Sequence, residues 1–163
     1  MDTTGSSFAA ANSMDGTVRS PKILILATLS GGYRGADATG QSHLDYPPDT
    51  YILPVRSAAI FPESFYLNAF ERGIDAILVL YSGTDSPYKG ESERTAEIIN
   101  RTYLLMKERG LDPRRLRLAA ICTVCVRPFL TEIQRMHATL EEIGLVPHPL
   151  PVTAGAQVPA APA

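Results

Sequence analysis

An open α/β sandwich, three layers around a small, mainly parallel four-stranded sheet, is the fold class that this sequence predicts. Three features point to it: four short apolar runs, helical segments alternating with them, and glycine or proline at most of the junctions. Strand–helix alternation implies right-handed βαβ crossovers, which place helices on both faces of the sheet. A chain of 163 residues with 45% hydrophobic and 20% charged side chains has the apolar material for one domain with its own core.

In chain order, Met1–Ser20 is small and polar without periodicity, and is expected to be a flexible arm. The domain is expected over residues 21–146. Its first strand, Lys22–Leu29, is apolar almost throughout, as strands covered on both faces are. A short helix with a small-residue face follows over Gly35–Leu44. The second strand, Tyr51–Ser57, contains Pro54, which cannot donate to a ladder and so predicts an edge position. Pro62 opens a helix that Gly73 closes. Asp75–Tyr81 is the third strand and again reads as buried on both faces. Ser92–Arg109 places Ile98, Ile99, Leu105 and Met106 on one helical face, with Gly110 and Pro113 as its stop. Leu116–Cys122 is the fourth strand, and Pro128–Ile143 is the last helix, carrying Phe129, Ile133, Met136, Leu140 and Ile143. Residues 147–163 form a Pro/Ala-rich tail with almost no charge.

Several function classes lack support. A formal charge of −2 supplies no overall basic field for nucleic acid. No apolar run approaches the ~20 residues that cross a bilayer, and the N-terminal residues carry no apolar h-region, so secretion is not expected. Two cysteines make no disulfide framework, so a cytoplasmic setting is expected.

Function in such sheets gathers at the carboxyl ends of the strands. The first loop there, Ser30-Gly31-Gly32-Tyr33-Arg34-Gly35, approximates a dinucleotide turn through Ser30, Gly31, Gly32 and Gly35. Glycines allow close approach to a phosphate, and a helix start favours anions. A plain tight turn fits the same residues. The fourth loop carries the only cysteines, Cys122-Thr123-Val124-Cys125. A C-x-x-C at a strand-to-helix junction is where thioredoxin-like dithiols sit, although buried inert thiols are the simpler reading. Two cysteines do not complete a tetrahedral metal site. Glu91, Glu93, Arg94 and Glu97 read as a solvated helix face. Arg114, Arg115 and Arg117 read as edge-protecting charge or as a patch steering an acidic partner.

The stretch Pro21–Pro48, with Tyr33, Gly35, Ala36, Asp37, Tyr46, Pro47 and Pro48 in order, resembles the delta (iron–sulfur) subunit of methyl-viologen-reducing hydrogenase. Phe70–Ala76 (FERGIDA) and Glu108–Leu116 (ERGLDPRRL) extend the resemblance over about residues 21–121. That family holds one [2Fe–2S] cluster and relays electrons to a flavin-containing heterodisulfide reductase-type subunit. The positions where it has cysteines read Ala27, Thr28, Gly31, Ser57, Ser82 and Ser86 here. Soft thiolates hold such clusters, and serine oxygens are poor substitutes. The resemblance therefore implies a degenerate member: a non-catalytic structural or adaptor subunit of a redox complex, partnered by proteins and expected to hold no cofactor. The alternatives are an active thiol-redox or electron-transfer subunit using Cys122 and Cys125, and a nucleotide module using the Ser30–Gly35 turn.

Overall fold

The computed structural model describes residues 19–121 and 126–147. The expected arm and tail lie outside the described residues except at their inner ends, and Cys122–Cys125 lies outside them too.

Strands β1 (Ile23–Thr28), β2 (Thr50–Val55), β3 (Ala76–Tyr81) and β4 (Leu116–Ala120) pair in the order β2-β1-β3-β4, every neighbour parallel. The two apolar runs, β1 and β3, are the central strands, and β2 is an edge, as its proline predicts. Asp49 and Val55 turn their carbonyls toward β1, accepting from Ile23 (3.1 Å) and Leu29 (2.9 Å). Alternation then points the amide position of Pro54 away from the sheet, so its missing N–H removes no ladder bond.

Helices α1 (Gly32–Gln41) and α4 (Val126–Ile143) cover one face; α2 (Glu63–Glu71) and α3 (Glu91–Glu108) cover the other. Period-two alternation sorts the central strands between two cores. Ile23, Ile25, Leu78 and Leu80 meet Phe129, Ile133 and Met136 of α4. Leu26, Ile77 and Val79 meet Tyr66 and Phe70 of α2 and Ile98, Ile99 and Met106 of α3. The Tyr66 side chain is fully buried, and burial pushes its phenol pKa up. Its contribution to stability is complete below the unfolded-state pKa of about 10. It is lost as pH rises further, because only the unfolded chain then ionises readily. Alkaline denaturation should therefore begin at lower pH in wild type than in Tyr66→Phe, followed by circular dichroism.

Four helix boundaries differ from those expected. Helix α1 starts at Gly32 and ends at Gln41, three residues earlier than expected at each end. Its first residue lies against β3, where a Cβ on Gly32 would sit 2.5 Å from the Leu80 Cβ. Gly32→Ala should cost about 1–3 kcal/mol by overpacking, read from chemical denaturation midpoints. Helix α4 starts at Val126, so Pro128 falls in its first turn, where a missing N–H is tolerated. Pro62 is the extended N-cap of α2 rather than its first helical residue.

A clasp closes the amino-terminal edge of the sheet. The Asp75 side chain, fully buried, receives Arg19 through both oxygens at 2.6 and 2.7 Å. The same carboxylate accepts the backbone N–H groups of Lys22 and Val146, each at 2.9 Å. Arg19, assigned by sequence to the arm, is thereby tied to the domain. Arg115 is buried and donates to the carbonyls of Asp75 (3.3 Å) and Gly144 (2.9 Å). Arg114 pairs with Asp112 and Glu142, and Arg117 with Glu132. All three arginines are thus engaged by groups of the domain itself.

Candidate functional site

The strand order reverses between β1 and β3, and the loops after these strands meet at the carboxyl edge of the sheet. This is the place where an open α/β sheet usually holds its ligand. Here the two loops are in direct contact. A Cβ on Gly31, the N-cap of α1, would lie 2.6 Å from the Ser82 nitrogen and 2.7 Å from the Tyr81 carbonyl carbon. Only glycine permits that approach, and the Gly31 N–H is spent on the Thr28 carbonyl at 3.0 Å. Beside the contact, the Ser30 and Ser82 hydroxyls are 2.9 Å apart and share a hydrogen bond. The glycines of the Ser30–Gly35 turn thus serve close approach to the chain itself. Gly31 meets Ser82, Gly32 meets Leu80, and a Cβ on Gly35 would sit 3.3 Å from the Phe129 Cβ.

The six positions that the resemblance equates with cluster cysteines each have a local role. Ala27 and Thr28 are fully buried on β1. As adjacent strand residues they face opposite sides of the sheet, so they cannot aim at one shared site. Ser57 caps the 3-10 turn Ala58–Ile60 by accepting the Ala59 N–H at 3.2 Å. Ser82 is buried against Ser30 and Gly31. Ser86 donates to Glu91 and accepts the Tyr88 N–H at 3.2 Å. The structure brings Ser30, Gly31 and Ser82 together; Ser57 and Ser86 are occupied in their own turns.

A [2Fe–2S] cluster does not fit this arrangement. None of the six positions carries a sulfur, the three serine hydroxyls are already hydrogen-bonded, the Thr28 hydroxyl is a buried hard oxygen without a partner among the described residues, and backbone fills the space at Gly31. Among the described residues, no three His, Cys, Asp or Glu side chains group to hold a metal ion.

The structure also finds a residue that sequence reasoning missed. Glu91, expected on a solvated face, is 5% exposed. It opens α3, where the helix start stabilises a carboxylate, and its Oε2 accepts from Ser86. Ser92 donates to the Gly83 carbonyl at 2.5 Å, so both residues fasten the β3 loop to α3. A serine five residues before a helix-opening glutamate was the available signal. Glu93, Arg94 and Glu97 are exposed, as expected. An open pocket of about 410 Å³ lies between this loop and the end of β4, lined by Ser82, Asp85, Ser92 and Ile121.

The family described as methyl-viologen-reducing hydrogenase, delta subunit, matches residues 23–144. The chain is 25% identical over 131 residues to the vhu iron-sulfur subunit of the F420-non-reducing hydrogenase of Methanocaldococcus jannaschii, covering 80% of this chain and 96% of that one. It is similarly 25% identical over 126 residues to the iron-sulfur subunit of the F420-non-reducing hydrogenase of Archaeoglobus profundus, with 76% and 91% coverage. A third relative is a much longer subunit of the ferredoxin/F420H2-dependent CoB-CoM heterodisulfide reductase of Methanosarcina acetivorans, 30% identical over 116 residues. That is 69% of this chain and 14% of the larger protein.

Proposed function

The chain belongs to the delta-subunit family of methyl-viologen-reducing hydrogenase, and from that premise we propose that it is a non-catalytic adaptor subunit of a hydrogenase/heterodisulfide-reductase-type redox complex. Accessory membership of a redox complex is supported by relatives that are named as subunits of hydrogenases and of heterodisulfide reductases. The closed contact of Gly31 with Ser82 carries the adaptor reading. Where the resemblance places the iron ligands, the loops pack on one another through glycine and serine. A frame kept intact around a site with no soft donor supports docking as the retained role. The partner best matching this reading is a flavin-containing heterodisulfide reductase-type subunit, because a stretch covering most of this domain recurs within a much larger heterodisulfide reductase polypeptide.

Deletion in the host followed by complementation tests the proposal. The assembled redox complex should be lost on deletion, judged by size-exclusion elution of the remaining subunits. Wild type and Cys122→Ser/Cys125→Ser should restore it, with equal heterodisulfide-dependent electron flow. Restoration of assembly without electron flow by the double variant would replace the adaptor with an active thiol or cluster subunit.

A further inference from the structure

The carboxyl edge that no longer suits a cluster has the composition of a protein-docking face. Among the described residues eight large hydrophobic side chains are exposed, and four of them, Leu29, Tyr33, Ile60 and Tyr88, lie on this one edge. Topology puts them there. Leu29 follows β1, Tyr33 stands in the first turn of α1, Ile60 lies in the turn after β2, and Tyr88 in the loop after β3. Ile60 is 67% exposed and Tyr88 46%. Isolated exposed apolar residues need no explanation, but a group gathered from three successive loops does.

Cations ring this group. Arg34 in α1, Arg56 after β2, Lys89 in the loop before α3, Arg94 in its first turn, and Arg127 at the start of α4 are all exposed and hold no carboxylate among the described residues. Elsewhere the domain's arginines pair readily: Arg101 with Glu63, Arg109 with Glu71, Arg135 with Glu132. The exposed unpaired acids in these same loops and first turns are Asp85 and Glu93, so the edge is cationic in a chain whose formal charge is −2. Tyrosine and arginine around an apolar centre are the enriched composition of interfaces.

We propose that this edge docks an acidic surface of a partner protein. The apolar residues would form the dry centre, and the ring of cations would meet carboxylates. The partner's existence rests on the adaptor reading; its acidity and its footprint rest on the residues named here. A second copy of the chain is disfavoured, because two like-charged rings would face each other. The tyrosines and aliphatic side chains at the centre favour protein over a phosphate backbone.

The test uses the full chain. The probe is the heterodisulfide reductase polypeptide of the same organism that contains the matching stretch, immobilised. Wild type should bind with an association rate that falls steeply as salt is raised past about 0.1 M, where the screening length shortens to about 10 Å. Arg34→Glu/Arg56→Glu should slow association about tenfold or more at low salt. Arg72→Glu/Lys107→Glu, exposed at the opposite edge, should bind as wild type. Ile60→Asp should raise the dissociation rate. Binding lost in the opposite-edge variant and retained in Arg34→Glu/Arg56→Glu overturns the docking face and leaves the adaptor reading standing. No association of wild type overturns both. Equal affinity for a mixed-sequence DNA duplex, or dimerisation of the isolated chain in sedimentation, assigns the face to another occupant and overturns the acidic-protein proposal.

Discussion

Asp75→Ala should destabilise the domain by about 2–4 kcal/mol, less than a fully buried ion pair would lose, because the Arg19 left behind is 37% exposed and keeps water as a partner. The loss reaches further than the pair. The carboxylate also satisfies the N–H groups of Lys22 and Val146, which would be left without their acceptor at a position that is fully buried. One side chain holds the start of β1, the start of β3 and the segment after α4. In a domain of this size the thermal midpoint should fall by on the order of 10 °C or more. Asp75→Asn keeps an oxygen for one N–H and should lie between the two. Calorimetry of the three proteins checks this, and an alanine variant within about 1 kcal/mol of wild type would show that the clasp contributes little.

The second large effect concerns the crevice. Gly31→Cys combined with Ser57→Cys and Ser82→Cys restores sulfur at three of the positions the resemblance marks, yet reconstitution with iron and sulfide should leave the protein without a [2Fe–2S] spectrum. A Cβ at Gly31 falls 2.6 Å from the Ser82 nitrogen, and backbone cannot yield as a flexible side chain can. The Gly31→Cys change alone should cost about 1–3 kcal/mol through overpacking. The Ser82→Cys change alone, which replaces one half of the Ser30–Ser82 hydrogen bond, should cost about 1 kcal/mol. Full cluster uptake by the triple variant at unchanged thermal midpoint would mean that the loops separate easily and that only the ligands had been lost.

The architecture was legible because its signals were strong and redundant. Two continuous apolar runs became the central strands, Pro54 marked the edge, and the apolar faces of α3 and α4 were spaced at helical period. Helix starts were less legible, and that of α1 sits at a contact distant in sequence. Gly32 opens α1 only because β3 lies against it, which no local pattern reports. Buried charge was the least legible. Glu91 and Arg115 read as surface residues, and Asp75, at the head of a strand read as buried, carried no local mark of the backbone N–H groups that it accepts. The matched stretch Phe70–Ala76 gains its physical meaning in the same way, since it delivers Asp75 to the clasp. The dinucleotide-like turn shows one signal open to two readings: its glycines mark close approach, and in the structure they approach the protein's own Ser82, Leu80 and Phe129.

Iron and acid-labile sulfide, with a visible spectrum, on anaerobically purified native protein and on Cys122→Ser/Cys125→Ser distinguish a cluster-free adaptor from an electron relay. A cluster-free adaptor has no stoichiometric iron in either protein and no charge-transfer absorption. Iron that persists in the double variant would mean that the positions around Gly31 and Ser82 hold a cluster despite their packing, and would contradict it. Iron that disappears in the variant would contradict it as well, placing an electron relay on the C-x-x-C instead.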